Sequence, residues 1–117
     1  MADILLFTFV LMGRRDKIFI KQIKNVIKQT DPTAVAILFG SRATGKARED
    51  SDWDILILVD KSPVSIKDEQ LFRNNLCDLE LEAGEAISTF VYGKEEWNTR
   101  QSITPLYKAI QQNGIIL

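Results

Sequence analysis

Histidine is absent from the 117 residues, cysteine occurs once and proline three times. Cys77 has no partner for an internal disulfide. With no histidine to activate it, it reads as a small apolar filler rather than a nucleophile. A lone thiol fits a reducing cytosol, so a cytoplasmic location is expected. An excess of charge of either sign is also missing: 15 Lys and Arg against 16 Asp and Glu leave a net charge of −1. That balance argues against an extended surface for nucleic acid, because such binding draws much of its free energy from basic side chains releasing counterions. Long apolar runs are lacking too. The run over residues 4–12 falls well short of the roughly 20 residues a membrane helix needs. No cationic region precedes it and no small-residue cleavage site follows, so neither membrane insertion nor a signal peptide is expected. Three readings of residues 1–12 stay open: an extra strand, a partner-binding segment, or residues ahead of a true start at Met12.

Repeats, low-complexity tracts and linkers are equally absent, and the length is that of one domain spanning 1–117, enough to bury roughly two thirds of the unfolded surface. Phe19, Ile20, Ile23, Val26 and Ile27 recur at three- and four-residue steps, which predicts an amphipathic helix over residues 16–30. Asp31-Pro32 stops it. Short apolar runs at residues 34–39 and 53–59 predict two buried strands. Ser65, three residues before Asp68, caps a helix carrying Leu71, Phe72 and Leu76, expected to end near Cys77. Residues 78–82 alternate charged and apolar side chains, the period of a half-buried strand, with continuation of the helix to Gly84 as the alternative. Residues 86–92 predict a further strand, which would form a hairpin with 78–82 about Gly84. A helical turn about Trp97 follows, and Thr104-Pro105 opens a last helix that Asn113-Gly114 closes. Interleaved helices and strands predict an α+β domain with a small mixed sheet flanked by helices.

The stretch from Gly40 to Asp54 carries the chemistry. On a strand, residues two apart point to the same side, so Asp52 and Asp54 can present two carboxylates to one small cation. Mg²⁺ suits such a pair, being a hard ion that takes oxygen ligands and fills its other positions with water or substrate phosphates. Gly40-Ser41 ends the neighbouring apolar run. A glycine admits close approach of a ligand to the backbone, and the serine can offer its hydroxyl and the following amides to a phosphate. Arg42, Lys46 and Arg48 lie in the same connection, where cations could balance a triphosphate. Each piece alone reads as an ordinary turn, a solvated loop or a wet basic face. Together they predict a site for a metal-bound nucleoside triphosphate.

Gly40-Ser41, ten residues, then Asp52-Trp53-Asp54 resembles the signature of the DNA polymerase β-like nucleotidyltransferase superfamily. A single small domain without a nucleic-acid-binding appendage is similar to its minimal nucleotidyltransferases, often encoded beside HEPN-domain proteins as toxin–antitoxin pairs. The resemblance implies transfer of a nucleoside monophosphate, AMP by first choice, from ATP or another NTP to a hydroxyl, with pyrophosphate leaving. Asp52 and Asp54 would hold Mg²⁺, Gly40 and Ser41 would bind the outer phosphates, and Arg42 would help neutralise their charge. The acceptor implied is a tyrosine of a HEPN-domain toxin partner. Active members of the superfamily usually add a third carboxylate early on the next core strand. If residues 78–82 are that strand, Asp78, Glu80 and Glu82 share one face, with Asp78 the first choice. The alternative is a catalytically weak or inactive nucleotide-binding antitoxin that silences its partner by occlusion. An aminoglycoside-modifying enzyme carries less weight, since such proteins add a second domain.

Overall fold

The computed structural model describes residues 12–117. Helix α1, Arg14–Thr30, buries Phe19, Ile20, Ile23 and Ile27 along one face, the side the periodicity predicts. Strand β1, Val35–Phe39, follows and turns at Gly40 into a single helical turn, α2, Ser41–Thr44. Strand β2, Trp53–Val59, is buried at every position except Asp54. Helix α3, Ile66–Ala83, leads to strand β3, Ile87–Gly93, and the short helix α4, Lys94–Thr99. After one 3₁₀ turn come helix α5, Pro105–Asn113, and a two-residue strand β4, Ile115–Ile116.

The sheet has the order β3-β2-β1-β4. Strands β1 and β2 run antiparallel, as do β1 and β4, whereas β2 and β3 are parallel. The α+β class with a small mixed sheet flanked by helices is therefore the one observed. Parallel neighbours need a crossover of a dozen residues or more, and α3 supplies it.

Residues 78–82 belong to α3 and not to a strand, so the hairpin about Gly84 does not form. The reason lies in the apolar spacing: Phe72, Leu76 and Leu79 are buried and Ala83 packs against the same core, which continues a helical face past Cys77. Gly84 closes α3 in the left-handed conformation at φ 66°, and its amide donates to the Glu80 carbonyl at 2.9 Å. The Asp-Leu-Glu-Leu-Glu alternation is a coincidence of composition, with Leu81 fully on the solvent side.

Alternation along β2 gives the sheet two packed faces. Trp53, Ile55, Ile57 and Val59 pack with α1 and α3 in the larger core. Leu56 and Leu58 point the other way, joining Phe39, Trp97 and Ile110 in a second cluster beneath α4 and α5. Trp97 sits between Tyr92 and Tyr107, with ring centroids 5.4 and 5.2 Å away. Trp97 and Tyr107 thus belong to the packing of the second face, Trp97 being fully buried. No helix among the described residues is long and apolar enough to cross a membrane. The strand, partner-binding and upstream-start readings of residues 1–12 fall outside the described residues except at Met12, which packs partly buried against the larger core.

Candidate active site

Strand β2 is the central element of the site because both its neighbours converge on Asp54. In register, Asp54 lies opposite Phe39, the last residue of β1, and opposite Ser88 near the start of β3. Gly40 comes immediately after Phe39, so the chain turns away from the sheet directly beside the Asp54 carboxylate. Gly40 has φ 71° and ψ −156°, a conformation that side chains essentially forbid. A Cβ placed on it would collide with Asp54 Oδ2 and lie 3.2 Å from its Cγ. Two independent constraints therefore require glycine here, one torsional and one steric.

The Gly40 carbonyl accepts the amides of Ala43 and Thr44 at 3.0 and 3.2 Å, which fixes the turn into α2. The Ser41 and Arg42 amides stand ahead of any carbonyl this short helix offers. Ser41 is partly exposed next to Gly40.

Asp52 is exposed and Asp54 half-buried. Burial, with the Asp52 charge adding to it, pushes the Asp54 carboxyl above its ordinary value of 3.8. The two acids are thus close enough to repel, and a divalent cation between them would relieve both effects. Two adjacent carboxylates beside a glycine turn fit a hard cation that keeps its remaining positions for water or phosphate oxygens. Among the described residues no group of three or more His, Cys, Asp or Glu side chains is placed to hold a metal ion.

The other acids and Arg42 lie elsewhere. Asp78 is an exposed residue of α3, and α3 packs through Phe72, Leu76 and Leu79 on the Trp53 side of the sheet, away from Asp54. Glu82 is exposed on the same helix, and the Glu80 carboxylate accepts the Ile87 amide at 3.1 Å. None of the three sits on the strand beside β2, which carries Ser88 and Thr89 at that end and no acid. The Arg42 guanidinium stacks 4.4 Å from the centroid of the Trp53 ring. Neighbouring residues of a strand face opposite sides, so Arg42 is on the side of the sheet opposite to the Asp54 carboxylate. Lys46 and Arg48 are exposed in the loop between α2 and β2.

Reading the sequence alone did not single out Ser88 or the role of Trp53. Strand order decides the first, and the sequence does not encode it locally. The second had a signal: an apolar aromatic between two aspartates on a strand must point to the face opposite them.

A small mixed sheet, with Asp54 on strand β2, Asp52 just ahead of it and a glycine turn ending the antiparallel neighbour, is a nucleotidyltransferase arrangement. The family model "Polymerase beta, Nucleotidyltransferase" matches residues 21–116, and the chain belongs to that family. A solved structure of similar fold is a crystal structure of the toxin–antitoxin MntA–HpeT, a mutant in which two aspartates spaced by one residue are each replaced by glutamate. The likeness has a TM-score of 0.59 at 15% identity, covering 82% of this chain and 69% of that one. Comparison with curated proteins gives no match.

Proposed function

We propose that the chain is a Mg²⁺-dependent nucleotidyltransferase that moves a nucleoside monophosphate, AMP by first choice, from an NTP to a hydroxyl of a partner protein, in the role of an antitoxin. The family supports nucleotidyl transfer. The antitoxin role is supported by the likeness in fold to the MntA–HpeT toxin–antitoxin structure. The observation that carries the site is the close packing of Gly40 against the Asp54 carboxylate, with Asp52 charge-coupled to it.

In this reading Asp52 and Asp54 hold the metal, which when bound neutralises phosphate charge and polarises the phosphorus under attack. Gly40 leaves room for phosphate oxygens to approach the backbone, and the Ser41 hydroxyl and the free amides at the start of α2 donate to them. Asp54 stands on strand β2 and the turn at Gly40 leaves the end of β1, so catalysis comes from positioning and charge stabilisation rather than from a protein nucleophile. The acceptor hydroxyl, a tyrosine of a HEPN-domain toxin, would form the new phosphate ester as the bond to the leaving pyrophosphate breaks, its proton passing to water because β3 carries no acid to take it.

The test is incubation of the purified chain with α-labelled ATP, Mg²⁺ and the protein encoded beside it. Label on the partner is expected. Its absence across four nucleotides and both Mg²⁺ and Mn²⁺ would sink the proposal.

A second reading, binding of nucleotide and partner without turnover, is favoured by one observation. Ser88, not an acid, stands in register with Asp54, and Asp78 lies on the far side of the sheet. No carboxylate on β3 could take the proton from an acceptor hydroxyl. Equal protection of cells by the wild type and by Asp52→Ala/Asp54→Ala would establish it over the first.

A further inference from the structure

Among the described residues Arg42 is the most heavily engaged cation, with only 9% of its side chain exposed. Its Nε and Nη2 donate to the Ser51 carbonyl at 3.3 and 2.9 Å, and Nη2 also donates to the Glu49 carbonyl at 3.2 Å. Carboxylates of Glu85 and Asp16 lie at 3.6 and 3.9 Å. The Trp53 indole, under the guanidinium, donates its own N–H to Glu85 at 3.3 Å. A planar fork of donors stacked on an aromatic ring is a geometry that arginine supplies and lysine does not.

These contacts converge on one peptide. Ser51 immediately precedes Asp52, and its carbonyl belongs to the peptide bond that joins them. The same serine accepts the Arg48 amide through its hydroxyl at 2.8 Å and donates its own amide to the Arg48 carbonyl at 3.1 Å. On the other side of Asp52, the Trp53 amide donates to the Ala86 carbonyl at 2.8 Å. Asp52 itself is exposed and outside the strand, so its neighbours alone decide where its carboxylate stands.

We infer that Arg42 is a positioning residue that sets the Ser51–Asp52 peptide, and through it the Asp52 carboxylate, rather than a ligand of the triphosphate. This rests on the reading of Asp52 and Asp54 as a cation-binding pair. Groups that orient a metal ligand from behind commonly change metal affinity by about 10- to 100-fold when removed. A phosphate ligand would instead change nucleotide affinity and leave the bare metal untouched.

The experiment uses the full chain and Mn²⁺ as an observable cation, titrated by electron paramagnetic resonance alone and then with ATP or AMP, beside hydrogen exchange of the metal-free protein. Arg42→Ala is expected to weaken Mn²⁺ binding roughly tenfold without nucleotide, to lower ATP and AMP affinity by equal factors, and to speed exchange over residues 45–52. Arg42→Lys, which keeps the charge but neither the planar stacking on Trp53 nor the fork, is expected to fall between Arg42→Ala and wild type. If Arg42→Ala lost ATP affinity while Mn²⁺ affinity and loop exchange stayed as in wild type, Arg42 would be a phosphate ligand and the inference overturned. Should Arg42→Ala fail to fold, wild-type Mn²⁺ affinity in Arg42→Lys would overturn it as well. Wild type that bound no Mn²⁺ at all would instead remove the cation-pair reading, and this inference with it.

Discussion

Gly40 and Asp54 occupy one volume between them: the space in which any other residue at position 40 would place its Cβ is filled by the Asp54 carboxylate. One residue of β1's end and one of β2's beginning are thereby coupled, although fourteen positions apart in sequence. The contact ties the turn that would receive phosphate to the acid that would receive the metal.

Gly40→Ala is expected to be damaging on two counts. Holding a side chain at φ 71° and ψ −156° costs on the order of 1–3 kcal/mol, and the new methyl must displace the Asp54 carboxylate. Chemical denaturation should register a loss of about 2 kcal/mol or more, and divalent-cation binding should fall even under conditions where the variant stays folded. A variant with unchanged stability and cation affinity would show that the packing is incidental.

Asp54 is expected to carry function at a cost in stability. Its carboxyl is raised above the ordinary value of 3.8 by burial first and by Asp52 second, so folding disfavours the charged form. The folded state then binds more proton than the unfolded chain between the ordinary and the raised value. Stability from this group is present below the ordinary value and is lost as pH rises through the raised one. Asp54→Asn should therefore raise the unfolding midpoint at neutral pH, flatten the acid limb of the stability profile and abolish transfer. Mg²⁺ should stabilise the wild type, by about 2.7 kcal/mol at a hundredfold excess over Kd, and leave Asp54→Asn unchanged. Thermal melts across pH 3–8 with Mg²⁺ or chelator check all of this.

Ser65 and Asp68 make a reciprocal cap at the start of α3. The Ser65 hydroxyl accepts the Asp68 amide at 3.1 Å, and the Asp68 carboxylate accepts the Ser65 amide at 3.1 Å. Hydrogen bonds from Lys61 and Ser65 lower the Asp68 carboxyl to about 2. Its stabilising effect is complete above the ordinary value of 3.8 and disappears as pH falls toward about 2. Ser65→Ala should cost about 1 kcal/mol with cation binding untouched. An equal loss of cation affinity would mean that α3 communicates with the site.

Most of the elements were legible in the sequence, and so was the approach of the turn at Gly40 to Asp54. Their apolar runs and turn residues are local signals, and the two halves of the site abut strands that such runs specify. The segment at 78–82 was ambiguous because a charged–apolar alternation has the period of a strand, while Leu79 and Ala83 extend a helical face that only the packed core rewards. Asp78 followed the same ambiguity onto the outer side of a helix. Arg42 lies next to the motif in sequence, yet Trp53 beneath it turns its guanidinium to the opposite side of the sheet. The two-residue strand β4 was not expected, because two isoleucines carry no period; pairing with Ile37 and Leu38 makes it a strand.

The sequence by itself determined that an apolar strand would end in a flexible, small-residue turn and that two acids would open the next one, because backbone freedom and side-chain alternation depend on near neighbours alone. Only the tertiary structure decided which strand lies beside the acids, that this strand offers Ser88 and no third carboxylate, and that Arg42 braces the loop from behind. Strand order and side-chain direction follow from how two faces of a sheet bury their apolar surface, a condition satisfied by the whole chain at once.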